Sequence, residues 1–141
     1  MAQNSFIGTW RLVSFEHRSA DGQISYPWGQ DAVGYLMYNK DGYMFVAAMS
    51  VNHRKFASEG LKRANTKDKT AAPDTYRSYC GRYEVKGDTV IHHIEVSSFP
   101  DWIGVDQERI FKFDGERISL SSPPVLINGM QQTPHLIWER V

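Results

Sequence analysis

Two adjacent histidines, His92 and His93, lie in the stretch Thr89–Val96. In an extended strand successive side chains point to opposite sides. Val90, Ile94 and Val96 form an apolar set, and His92 falls among them. Thr89, Ile91, His93 and Glu95 form the other, mixed set. His92 is therefore the inward candidate and His93 the surface one. An imidazole held in a cavity suits a general acid or base, because its ordinary pKa lies near neutrality. The competing reading is a core histidine satisfied by a nearby hydroxyl or carbonyl.

Further along, Gln107, Arg109, Phe111 and Phe113 share one face. A guanidinium on an otherwise aromatic face must be paired or hydrogen-bonded to be tolerated inside. Arg109 is suited to hold a ligand carboxylate or enolate in a bidentate fork, or to stabilise developing negative charge. Pairing with Glu16, or a bulge that breaks the alternation, are the alternatives. Tyr79, Gly81, Tyr83 and Val85 share a face opposite Ser78, Cys80, Arg82 and Glu84. Both phenols belong to the inward set, and Tyr83 completes a candidate catalytic group with His92 and Arg109 by orienting a substrate. Trp28, Tyr38, Tyr43 and Phe45 add aromatic surface that lines or rims a cavity, or is simply aromatic core. Cys80 lies on the other face with no neighbouring base, so it is set aside as a nucleophile.

Other chemistries lack their residues. His92 and His93 point oppositely and cannot share a metal from one strand. There is no H-x-H, HExxH or CxxC pattern, no GxSxG elbow and no phosphate-binding glycine loop. No metal and no cofactor is expected. The basic residues between Arg54 and Lys69 are diluted by Glu59 and Asp68, which reads as a solvated face rather than a nucleic-acid patch.

The elements that would position these residues are strands. GTWRLVSFEHR, from Gly8 to Arg18, alternates with Trp10, Leu12, Ser14 and Glu16 on one face and Arg11, Val13, Phe15 and His17 on the other. Val33–Asn39 and Tyr43–Val51 flank Lys40-Asp41-Gly42, a hairpin signature. The central hairpin turns at Gly87-Asp88, and another follows around Asp114-Gly115. Phe99-Pro100-Asp101-Trp102 breaks a strand. A loop with Pro123, Pro124, Asn128 and Gly129 leads to a closing strand, His135–Arg140. Residues 52–74 carry no period-two pattern and read as a short helix or a lid loop. Eight strands joined by short reversals predict an all-β domain spanning 1–141. An eight-stranded antiparallel up-and-down barrel leaves no free edges and encloses room for one small ligand.

The 141 residues suffice for one domain with its own core. With 16 basic and 16 acidic side chains, the chain carries no net field favouring nucleic acid or an anionic membrane. One cysteine gives no disulfide framework. The opening MAQNSFIGTW lacks the charged and apolar regions of a secretory signal, and no apolar run spans a membrane. The expectation is a cytoplasmic protein, monomer or homodimer, whose partner is a small hydrophobic molecule.

Gly8-Thr9-Trp10 opens the first strand and Trp138-Glu139-Arg140 ends the last. This resembles the lipocalin fingerprint, in which a G-x-W tryptophan closes the barrel floor beneath a basic side chain from the far end of the chain. GTWRLVSFE, GYLMYNKDGYM, YCGRYEVKGDTVIHHIE, SSFPDWIGVDQERIF and LIWERV, in that order, resemble the lipocalin-like domain family of bacteria and fungi. The resemblance covers nearly the whole chain and implies a calycin-type eight-stranded barrel. It also implies binding of hydrophobic small molecules, with cyclase or isomerase activity in some such barrels. The first functional reading is a binder of a small, largely apolar, carbonyl- or carboxylate-bearing molecule. The second is a cofactor-free isomerase, cyclase or dehydratase, with His92 as acid/base and Arg109 as anion stabiliser. A third is a structural module whose barrel is filled by its own side chains.

Overall fold

The structure, a computed structural model, describes residues 2–51, 75–127 and 129–141. The 52–74 segment, expected as a helix or lid, lies outside the described residues. A five-residue helix, α1 (Ala2–Phe6), precedes ten strands: β1 (Gly8–Ser19), β2 (Ile24–Ser25), β3 (Val33–Tyr38), β4 (Tyr43–Met49), β5 (Tyr76–Lys86), β6 (Thr89–Ser97), β7 (Asp106–Asp114), β8 (Arg117–Ser121), β9 (Val125–Ile127) and β10 (Met130–Arg140). Eight of them run β1-β3-β4-β5-β6-β7-β8-β10, and β10 pairs antiparallel with β1 to close an up-and-down barrel. β2 and β9 are extra strands at the β1 and β10 edges. A 3-10 turn, Pro100–Trp102, ends the β6 excursion where the proline breaks the strand.

Short glycine turns let the strands reverse. Gly87 adopts φ +58° in a two-residue turn between the paired Lys86 and Thr89, a conformation that favours glycine. Alternation then sorts the walls. In β7 the odd-numbered set Gln107, Arg109, Phe111 and Phe113 is half-buried and the even-numbered set exposed. In β5 the inward set includes Tyr79, Gly81 and Tyr83.

Two bulges move side chains away from the positions that strict alternation predicts. Leu12 pairs with Trp138 but Ser14 pairs with Ile137, so Val13 is an extra residue in β1. Beyond it the parity flips, and Phe15 and His17 face the interior in place of Ser14 and Glu16. The second bulge lies in β6, where Cys80 pairs with Val96 and Gly81 with Ile94. Val96, expected with the inward set, is thereby turned out and is 62% exposed. Gly81 sits opposite this bulge, where a Cβ would meet the His93 carbonyl oxygen at 1.9 Å. The closing strand is also longer than expected: β10 begins at Met130 and runs through Pro134, whose register neighbour is His17 on β1. Pairing with β8 starts only at His135, so the proline falls outside that ladder.

One end of the barrel is sealed by aromatic packing. α1 delivers Phe6, fully buried, edge-on to Tyr38, Phe111 and Phe113 at 5.2, 4.8 and 5.2 Å between ring centroids. The Trp10 indole N–H donates to the Phe6 carbonyl at 2.9 Å. The Arg140 guanidinium lies 4.2 Å over the Trp10 ring and donates to the Ile7 and Ser5 carbonyls at 2.9 and 2.6 Å. Gly8, with φ +131°, leaves room for it, since a Cβ there would come within 2.9 Å of the guanidinium.

Candidate functional site

Above this floor the barrel holds a cavity of about 620 Å³. Its wall is mainly apolar, with Phe15, Leu36, Val46, Ala48, Leu120, Leu136 and Trp138 contributed by the strands. Pro27, Trp28, Trp102, Pro123 and Pro124 come from the connections around it, and Val125 from β9. Among the described residues the polar groups are few: His17, Arg77, Tyr79, His92, Gln107, Arg109 and Ser122. The volume falls within the ordinary range for a small-molecule site.

Of the residues singled out from the sequence, Trp28, Tyr79, His92, Gln107 and Arg109 line this cavity. Tyr38, Tyr83 and Phe111 also turn inward but pack beneath it, around the floor. The Tyr83 hydroxyl donates to the Asn39 carbonyl at 3.0 Å, and its ring meets Tyr38 at 4.7 Å. It does not reach the cavity beside His92 and Arg109. Tyr43 and Phe45 stand on the outer wall, 43% and 47% exposed. Their expected place is corrected by the parity of β4, whose inward set is Met44, Val46 and Ala48.

His92 is the centre of a buried polar layer. Its Nε2 lies 2.6 Å from the Tyr38 hydroxyl and its Nδ1 lies 2.8 Å from the Tyr79 hydroxyl. Both ring nitrogens are therefore occupied by phenols. Burial first, then the nearby Arg109 and His93 charges, push the His92 pKa down to about 3. The ring is neutral near pH 7 and carries one proton. Burial likewise raises Tyr38 well above its ordinary value and raises Tyr79, against which Arg109 and Arg77 act.

Counting protons selects the tautomer. If Nε2 carried the hydrogen, it would donate to Tyr38, and the Tyr38 hydroxyl proton would have no acceptor among the described residues. An unsatisfied buried donor costs about 1–3 kcal/mol. With the hydrogen on Nδ1, Tyr38 donates to Nε2 and His92 donates to Tyr79. The Tyr79 hydroxyl keeps its proton, which is then free to point into the cavity that Tyr79 lines. The sequence alternative of a core histidine satisfied by hydroxyls matches this geometry.

Arg109 does not pair with Glu16. That carboxylate accepts from Arg18 Nε and Ser14 Oγ, each at 3.1 Å. Arg109 donates to the Gln107 side-chain oxygen at 2.9 Å and to the Glu108 carbonyl at 3.1 Å. Arg77, two residues before Tyr79 on the same face, lies 4.8 and 4.5 Å over the Phe99 and Trp102 rings. One further step of the β5 alternation would have found it. Phe15 and His17 were hidden by the β1 bulge, and Trp138 was read only as part of an end motif. The buried Trp138 indole N–H has no acceptor among the described residues.

Comparison with known proteins gives four findings. A protein of Aspergillus oryzae named 4'-hydroxy-3'-methoxypropiophenone carrier protein is 37% identical over 75 residues, covering 47% of this chain and 68% of that protein. A lipocalin-like protein from Bacteroides uniformis superposes with a TM-score of 0.48 at 12% identity, covering 97% of this chain and 99% of that one. A redesigned β-barrel gives 0.46 at 15% identity, covering 99% and 95%. Residues 7–141 match the family model for the lipocalin-like domain, and the chain belongs to that family.

Proposed function

We propose that this protein is a carrier: it encloses a compact, largely apolar molecule in the barrel and orients its polar end without converting it. The observation that carries the reading is the cavity of about 620 Å³, apolar on most of its wall with polar groups gathered around Tyr79, His92, Gln107 and Arg109. Apolar enclosure gives affinity, and a few polar groups fix orientation. The relative named as a carrier of an aryl ketone supports the same assignment. Catalysis by His92 is disfavoured because both nitrogens are taken by phenols and its depressed pKa makes it a weak base near neutrality. Cys80 is a free thiol, which suits a reducing compartment, and we place the carrier in the cytoplasm.

The test uses the neutral fluorophore N-phenyl-1-naphthylamine. Three of the four tryptophans, Trp28, Trp102 and Trp138, line the cavity, so occupancy should also quench intrinsic fluorescence. Ala48→Phe places a ring in the cavity and should weaken binding about tenfold or more while circular dichroism remains that of the barrel. A wild-type protein that takes up neither this probe nor a panel of apolar carbonyl compounds would sink the carrier reading.

A further inference from the structure

The described residues that line the cavity include two guanidiniums, Arg77 and Arg109, and no aspartate or glutamate. The two lining histidines do not add charge near neutrality, because burial lowers the pKa of both. Among the described residues, Arg109 is hydrogen-bonded only to neutral oxygens, those of the Gln107 amide and the Glu108 backbone. Glu108 itself alternates to the exposed face of β7. Among the described residues no carboxylate bonds this half-buried guanidinium, and a ligand of opposite charge would complete its electrostatic environment.

The Tyr38–His92–Tyr79 chain adds a directed donor. With Nδ1 protonated, Tyr79 accepts from His92 and presents its own proton to the cavity. The same hydroxyl lies in the field of Arg109 and Arg77, both of which favour negative charge at that point. We propose that the ligand is a monoanion with an aromatic or aliphatic body, its oxyanion received by the Arg109 guanidinium and the Tyr79 hydroxyl. This rests on the carrier reading and names the chemical class that the carrier selects.

The experiment pairs two fluorophores on one ring system: neutral N-phenyl-1-naphthylamine and its sulfonate, 8-anilinonaphthalene-1-sulfonate. The sulfonate should bind about tenfold or more tighter, as charge-assisted hydrogen bonds imply. Arg109→Gln should abolish that preference, while Arg109→Lys should keep part of it. A second measurement needs no variant. A nitrophenol that titrates near neutrality is followed by absorbance when bound to the wild-type protein. Its pKa should fall on binding, whereas an apolar cavity without an anion site would raise it. Competition by nitrobenzoate and nitrophenolate then distinguishes a carboxylate from a phenolate source. Equal affinity for the two fluorophores together with a raised nitrophenol pKa overturns the anion assignment and leaves the carrier standing. Absence of binding by every probe overturns both.

Discussion

A histidine clamped between two phenols titrates unlike one in water, and the consequence is measurable. Unfolded, His92 takes up a proton near its ordinary 6.5; folded, it resists protonation down to about 3. As pH falls through this window the unfolded chain gains a proton that the folded chain refuses. The His92 contribution to stability is therefore complete above pH 6.5 and is lost progressively toward pH 3, by an amount on the order of a few kcal/mol. His92→Gln removes the titration and keeps a polar side chain. Between about pH 7 and about pH 4 the urea midpoint of the wild type should fall further than that of the variant. Equal falls would mean that His92 protonates freely inside the barrel. Its inward direction could be read from its place among Val90 and Ile94. Its two phenolic partners could not, since Tyr38 is 54 positions away and meets it only when β3 and β6 face each other across the barrel.

Across the outer wall the neighbouring histidine ties three strands together. His93 on β6 contacts Glu84 on β5 at 2.9 Å and Asp106 on β7 at 2.8 Å. The hydrogen bond that the His93 Nδ1–H donates to Asp106 leads the causes that raise its pKa, with Glu84 adding to it. The sign is opposite to that of His92. This clasp stabilises the fold fully below pH 6.5 and fades as pH rises through the folded value. Because the site is solvent-screened, its worth is at most about 1 kcal/mol. An NMR titration of the His93 ring should give a midpoint above the ordinary value, and Asp106→Asn should lower it; an unmoved midpoint would dissolve the clasp. Strand periodicity made Tyr79, His92, Gln107 and Arg109 legible, because β5, β6 and β7 keep strict alternation through those positions. It misled wherever one residue was inserted: Val13 redirected Phe15 and His17, and Glu95 redirected Val96. A bulge depends on both partners of a ladder, so one strand's pattern does not reveal it. Tyr43 and Phe45 were misplaced for another reason: aromatic character drew them inward, although the parity of Met44, Val46 and Ala48 already assigned them to the outer wall.

Closure joins the two most distant parts of the chain, and this was the most legible feature of all. A first strand opening on Gly8-Thr9-Trp10 and a last strand ending in Arg140 imply their pairing, which the structure realises from Trp10↔Arg140 to Ser19↔Gln132. Arg140→Ala removes a cation from the Trp10 face and two hydrogen bonds to backbone carbonyls. The expected loss is about 2 kcal/mol, read as a lower urea midpoint with an unchanged slope. A midpoint equal to that of wild type would assign closure to the β1–β10 ladder alone. The extra strands β2 and β9 and the length of β10 escaped the sequence reading, since two- and three-residue pairings leave no periodicity to detect. The meeting of Phe6, Trp10 and Arg140 on the floor also decides how the molecule can be handled. A tether added beyond Val141 departs from the sealed end, because the Val141 N–H is bonded to the Thr9 carbonyl there. Anchored to an electrode or a bead by that tether, the barrel would stand with Pro27, Pro123 and Pro124 toward the solution.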